Sequence, residues 1–487
     1  MPPWTVAILA LCMFGYLGLI FTAFSSSNDE LLAALTVAPV LFALTIPLAL
    51  RVARKDRDPT LAYIVMAGAA LKLLMGYVQF KIAYGYYQGH TDAEQYNAAG
   101  QVLSASYRRF DFSTNLGPFV GTNATKYFTG LEYAISGASR ITGFMVFGWL
   151  SFLGLLALAR AFHVGVPNGD SRRYLIAVLF LPSLLYWPAT IGKDALMMLG
   201  IGLGAYGIAC LFRSRTSGLL SLAVGLAIIL SIRPHVALIM FVGLVFAVLV
   251  RRAPARNFAV PVFRILGVVA LIALGLFLMS RASSYLDKSF NTTSSSFGQQ
   301  LDLTQQRTAE TEAGSAFTPV PVRSPIDIPL AVATVMFRPL PFEAKSFATL
   351  LSAAEGMLLL GLLWISRRRL RSIPRMIRTT PYVAFCIGYL FAFTIAFSRF
   401  ANFGILARQR VQALPFLLVF IALPKFADLV AEDGPAPVEA LPVPAPNARA
   451  TATAGTRRRN RRPAVVASTR DAVSSGGSFP PPARAPR

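Results

Sequence analysis

The chain has 487 residues, 55% of them hydrophobic and 14% charged, with a mean hydropathy of +0.57. A soluble protein of this composition would carry more apolar surface than its cores could bury, so a polytopic membrane protein is expected. The formal charge of +24 does not point to nucleic acid as a partner, because in a membrane protein most of such an excess serves topology.

A helix needs roughly 20 largely apolar residues to cross the hydrocarbon layer, and about twelve such runs are counted along the chain. They fall near 4–24, 31–50, 61–79, 142–159, 174–188, 195–212, 218–232, 236–250, 259–279, 346–365, 381–397 and 411–424. The expected fold is therefore all-α, a transmembrane helical bundle over 1–430. Arg51, Arg54, Lys55 and Arg57 follow the second run, Arg160, Arg172 and Arg173 the fourth, Arg213 and Arg215 the sixth, and Arg251, Arg252 and Arg256 the eighth. Arg367, Arg368, Arg369, Arg371, Arg375 and Arg378 follow the tenth. Basic flanks stay cytoplasmic, which puts both termini on the cytoplasmic side of the plasma (inner) membrane and makes the first run an uncleaved anchor. Two longer segments, about 80–141 and 280–345, then become extracytoplasmic loops, with a further re-entrant or interfacial helix allowed between Tyr127 and Ile141. No internal repeat is evident.

The first of these segments contains GHTDAEQYNAAG at 89–100. Thr91 and Glu94 have the spacing of a capping box, in which hydroxyl and carboxylate satisfy free amides at the start of a helix running through Tyr107. That leaves Asp92 at the first helical position, where the helix dipole favours an ionised carboxylate able to act as a base or to hold a cation.

Cations gather in the outer turns against the positive-inside trend: Lys193, Arg233 with His235 in SIRPHV, Arg338, then Arg399, Arg408 and Arg410. Each alone fits an interfacial side chain that snorkels to headgroups, and Lys193 beside Asp194 also fits a local pair. If the turns converge, Arg forks and Lys point charges form a phosphate or diphosphate site. FRPLPFEAKS at 337–346 offers Glu343 as a second acid, which serves equally as a rim ion pair with Arg338. Within the apolar runs Lys72 is the main ionisable group, with no evident relay of Asp, Glu or His. Cys12, Cys210 and Cys386 all fall inside runs and supply neither disulfides nor metal-ligand spacing. Residues 431–487 are rich in Pro, Ala and Arg and are expected to be a disordered cytoplasmic tail. TRRRNRR at 456–462 suits contact with anionic membrane lipids or with envelope-assembly partner proteins.

Asp92, Tyr96 and Ala99, in an early outward segment, resemble the first-loop acidic motif of integral-membrane glycosyltransferases of the GT-C type. LPSLLYWPATIGKDALMMLG, SIRPHVALIM, FRPLPFEAKSFATLLSAAEG and RQRVQALPF resemble segments of polytopic bacterial polysaccharide proteins, O-antigen-polymerase-like ones among them. The resemblance implies a polyprenyl-linked sugar donor, a glycan or lipid-linked acceptor, an outer-face active site and, often, a divalent metal such as Mg or Mn. On that expectation Asp92 and Glu343 are the catalytic candidates, with Asp92 also the metal ligand. Tyr96, Lys193, Arg233, His235, Arg338, Arg408 and Arg410 would bind substrate. A transporter or flippase of an anionic or lipid-linked substrate is the alternative, and a non-catalytic scaffold the third class.

Overall fold

The computed structural model describes residues 3–250, 273–285 and 316–428, and within them the fold is helical. The expected tail at 431–487 lies outside the described residues. Helix α1 is Pro3–Ser25, α2 Asp29–Asp56 and α3 Thr60–Lys81, which runs into a π-helical turn at Ile82–Tyr86. Then follow α4 Asp92–Tyr107, α5 Thr122–Ser136, α6 Arg140–Gly165, α7 Ser171–Phe180, the single turn α8 Pro182–Tyr186, α9 Lys193–Phe212, α10 Gly218–Ile232 and α11 Pro234–Val250. After the helical stretch 273–285 come α12 Ile328–Phe337, α13 Phe347–Ile365, α14 Ile373–Thr379, α15 Pro381–Phe397, α16 Phe403–Arg410 and α17 Leu414–Leu418.

Local chemistry sets many of these boundaries. Asn28, Ser139, Asp170, Ser346 and Asn402 each accept a hydrogen bond from a free amide in the first turn of the helix that follows. Helix α2 carries acids in its first turn and bases in its last, as the dipole favours, and stops at Arg57 in the left-handed conformation.

Counting apolar runs overstates the number of spans. Five helices among the described residues are long and apolar enough to cross a membrane, or up to seven if each of two bent pairs is one span. Expected runs at 218–232 and 236–250 are single helices of 15 and 17 residues. At 1.5 Å per residue they reach roughly 22–26 Å, short of a hydrocarbon core about 30 Å thick. The run at 174–188 breaks at Leu181–Pro182. Pairs α14/α15 and α16/α17 with its 3-10 extension bend by 110° and 58°. Of the expected run at 259–279, only 273–279 lies within the described residues.

The segment 80–141 is likewise not a loop. It holds α4 and α5, which pack closely because Gly100 faces Thr129 and Gly130 faces Leu103; a Cβ on Gly130 would sit 2.5 Å from the Leu103 Cβ. Tyr133 donates to Asn97 across the pair at 2.8 Å. Hydropathy misses α4 because its sequence is polar and Ala-rich, but the helix expected from the Thr91 pattern through Tyr107 is present as Asp92–Tyr107. The described part of 280–345 also contains helix α12.

Helices α6 and α9 form the centre of the bundle and touch backbone to backbone. A Cβ on Gly202 would lie 2.1 Å from the Gly154 carbonyl oxygen, the kind of approach that small residues permit between membrane helices.

The broken run around α8 explains two buried charges. Glu355 of α13 accepts from the Ser183 amide at 2.7 Å and from its hydroxyl, which satisfies the start of α8. Lys72 of α3 donates to Leu184 and Leu185 carbonyls at 2.7 and 2.9 Å, and Gln79 donates to Tyr186 at 3.0 Å, which satisfies its end. An acid at the N-terminus and a base at the C-terminus also suit the dipole. Glu355, which sits in the expected tenth run, is thus a second buried ionisable group beside Lys72, and the reading of the runs passed over it.

Candidate functional site

The described basic loops, those after the second, fourth, sixth and tenth runs, gather at one end of the helices, while Arg251, Arg252 and Arg256 lie outside the described residues. Arg160 donates to Asp56 at 2.6 Å, Arg369 to Asp170 at 3.0 Å, and Arg213 to the Val164 carbonyl at 3.2 Å. Arg213 follows α9, whereas Lys193 and Asp194 begin it, so the second charged cluster lies at the opposite end of that helix.

That cluster is built on Asp194, a fully buried residue at the start of α9. Its Oδ1 pairs with Arg233 Nη1 at 3.0 Å, and its Oδ2 accepts from Arg408 Nε. Arg233 lies at the C-cap of α10 and Arg408 in the last turn of α16, positions where helix dipoles favour cations. Arg233 Nη1 also donates to Gln409 Oε1 at 2.9 Å, and Gln412 donates to the same oxygen at 2.8 Å. Arg408 reaches onward with Nη1 to Asp92 Oδ2, 3.2 Å away at the first position of α4. Lys193 is within electrostatic reach of Asp92, Asp194, Arg233 and Arg408.

Exposure sorts these residues by what they can meet. The side chain of Asp92 is 56% exposed and that of Arg408 29%, while Asp194 is sealed at 1%. Lys193 is half-buried and Arg233 buried. Asp194 therefore fixes two guanidiniums from separate helices, and Asp92, Lys193 and the outer edge of Arg408 face the surroundings. The guanidiniums of Arg233 and Arg408 balance the carboxylates of Asp92 and Asp194, and Lys193, when protonated, is the third cation that leaves an excess of positive charge for an added anion. Tyr96, one turn beyond Asp92, is buried below them beside Gly192, and burial together with the Asp92 carboxylate pushes its phenol up.

The capping box does not form. Thr91 makes no side-chain cap bond, and its hydroxyl has no partner among the described residues. Glu94 turns instead to Tyr84, whose hydroxyl donates to it at 2.6 Å, and to Asn97. A phenol and an amide on its own side of the helix outcompete a reach back to the cap.

The structure thus brings Asp92, Tyr96, Lys193, Arg233 and Arg408 together and places the other candidates elsewhere. Arg410 points away from Arg408, as residues two apart on a helix must. It is fully buried, pairs with Glu355 at 3.4 Å, and donates to the Arg338 carbonyl and the Ser352 hydroxyl, both at 2.9 Å. Arg338 grips Glu343 through Nε at 3.0 and 3.1 Å and lies over the stacked rings of Phe317 and Phe403. Hydrogen bonds from Arg338 hold the Glu343 carboxyl below its usual range. His235 is half-buried between Tyr285 and Phe397, with no partner for Nδ1 among the described residues.

The donor set around Asp92 does not suit a divalent metal. Its carboxylate is engaged by Arg408 with Lys193 close by, and no group of three His, Cys, Asp or Glu among the described residues is arranged to hold an ion. Nothing in the sequence marks Asp194 as the hub beyond its position beside Lys193. Comparisons with protein-family models, with curated proteins and with solved structures find no match to this chain.

Proposed function

We propose that the chain is an integral-membrane glycosyltransferase or polysaccharide polymerase that takes a sugar from a polyprenyl-phosphate or diphosphate donor at the outer face of the inner membrane. One observation carries the reading: α4, α9, α10 and α16 deliver an exposed carboxylate and an excess of cations to one place at one helix end. A lipid-linked donor presents its phosphate at that level while its tail stays among the helices. Lys193 and the outer edge of Arg408 take the phosphate, and as the bond from the sugar anomeric carbon to phosphate oxygen breaks, they stabilise the charge left on the leaving group. Asp92 removes the proton from the acceptor hydroxyl, whose oxygen forms the new glycosidic bond. Because Arg408 also holds Asp92, a bound phosphate competes for that guanidinium and frees the base. No step is assigned to a metal.

A carrier for the same class of substrate is the second reading, favoured by the two bent helix pairs and by the ionisable groups buried in the bundle, Lys72 and Glu355–Arg410. The two readings part at Lys193 and Arg410. Lys193→Met removes a ligand cation without breaking an ion pair, and it is expected to raise the KM for a labelled polyprenyl-linked donor about 10- to 100-fold, the worth of one charge-assisted contact. Arg410→Met strands buried Glu355 and is expected to lower the yield of folded protein instead. Turnover in nanodiscs measures the first and detergent gel filtration the second. Unchanged donor kinetics in Lys193→Met would count against the enzyme site.

A further inference from the structure

The far end of the bundle carries a feature that plays no part in the proposed transfer. Helices α2 and α3 form an antiparallel hairpin with a groove of about 580 Å³ between them. Its walls are apolar, with Ile46, Leu50, Ala62 and Met66 among them, and its mouth carries Arg54 and Arg57. Both arginines are exposed, and neither forms a side-chain hydrogen bond or an ion pair with any described residue; nearby Asp56 is taken by Arg160 and His163. Arg57 is held at the mouth by the left-handed turn that ends α2.

We infer that this groove binds one anionic phospholipid of the surrounding bilayer, with its phosphate on Arg54 and Arg57 and an acyl chain along the apolar wall. Three observations choose that occupant. Both walls belong to helices long and apolar enough to cross a membrane, so the groove opens into hydrocarbon rather than water. From Arg54 back to Ile46 the helix rises roughly 12 Å, which approaches the depth of one leaflet, about half of the 30 Å core. Two cations without internal partners at the polar end complement a headgroup phosphate, and an apolar wall complements nothing charged. A soluble phosphate compound would use only the mouth.

The test is native mass spectrometry of the purified full chain, titrated with phosphatidylglycerol or phosphatidylcholine. The parent is expected to retain one phosphatidylglycerol in preference to phosphatidylcholine, with no displacement by glycerol phosphate. Arg54→Gln with Arg57→Gln is expected to weaken retention about 30-fold, since each cation near a headgroup contributes about 1 kcal/mol. Ala62→Phe fills the groove at unchanged charge and is expected to weaken retention to a similar degree, whereas Arg54→Lys with Arg57→Lys largely preserves it. Displacement by glycerol phosphate would overturn the inference, as would retention at the parental level in Ala62→Phe: the first makes the mouth a soluble-phosphate site, and the second reduces the arginines to a diffuse surface charge. If the double Gln variant does not fold, Ala62→Phe decides alone.

Discussion

Asp194→Ala is expected to cost about 3–5 kcal/mol of stability, the penalty for removing one partner of a buried ion pair and leaving the other uncompensated. Two guanidiniums lose their common acceptor, since Asp194 holds Arg233 through one oxygen and Arg408 through the other. Arg233 is buried and retains only Gln409 as a partner among the contacts described above. Thermal unfolding in detergent reads the effect, and the ends of α9, α10 and α16 should separate first, because Asp194 is their shared tie. A melting temperature equal to that of the parent would mean that the cluster is held together by packing alone.

Asp92→Asn is expected to behave in the opposite way. Its bond to Arg408 is largely exposed, and exposed pairs contribute about 0–1 kcal/mol, so folding should be nearly unaffected. Under the proposed chemistry, turnover should fall about 10²–10⁴-fold, the usual contribution of a positioned base. Glu94→Gln is the matched control. Glu94 accepts from Tyr84 and Asn97 and does not reach the cluster, and a Gln oxygen can still accept those bonds. Release of labelled polyprenyl phosphate by purified variants separates the two residues. A parental rate in Asp92→Asn beside an inactive Glu94→Gln would assign the chemistry to the wrong side of α4.

What the sequence made legible here is set by periodicity and hydropathy, and what it hid follows from chain breaks and third-dimension pairing. Apolar runs identify helices such as α2, α3, α6 and α9 as long enough to cross a membrane, but they carry no record of a break like Leu181–Pro182 or of a 110° bend before α15. Lys193, Arg233 and Arg408 stand out because cations in those turns oppose the charge trend. Asp194 does not, because its neighbour Lys193 offers an obvious pair, although adjacent residues on a helix do not face each other. Arg408 and Arg410 read alike in RQR and end on opposite sides of α16. One meets the exposed cluster and the other the buried Glu355. Glu355 itself is hidden in an apolar run because its function is local: it satisfies the start of a five-residue helix that hydropathy cannot detect.

Whether the cluster around Asp194 receives the phosphate of a lipid-linked donor, as proposed, is decided by a cryo-EM structure of the full chain in nanodiscs with a non-hydrolysable polyprenyl phosphonate. Phosphonate oxygens are expected within hydrogen-bond distance of Lys193 and Arg408, with Asp92 released from Arg408 and turned toward open space. Density for the phosphonate inside the bundle beside Glu355 and Arg410, with the Arg408–Asp92 contact intact, would contradict it and favour the carrier.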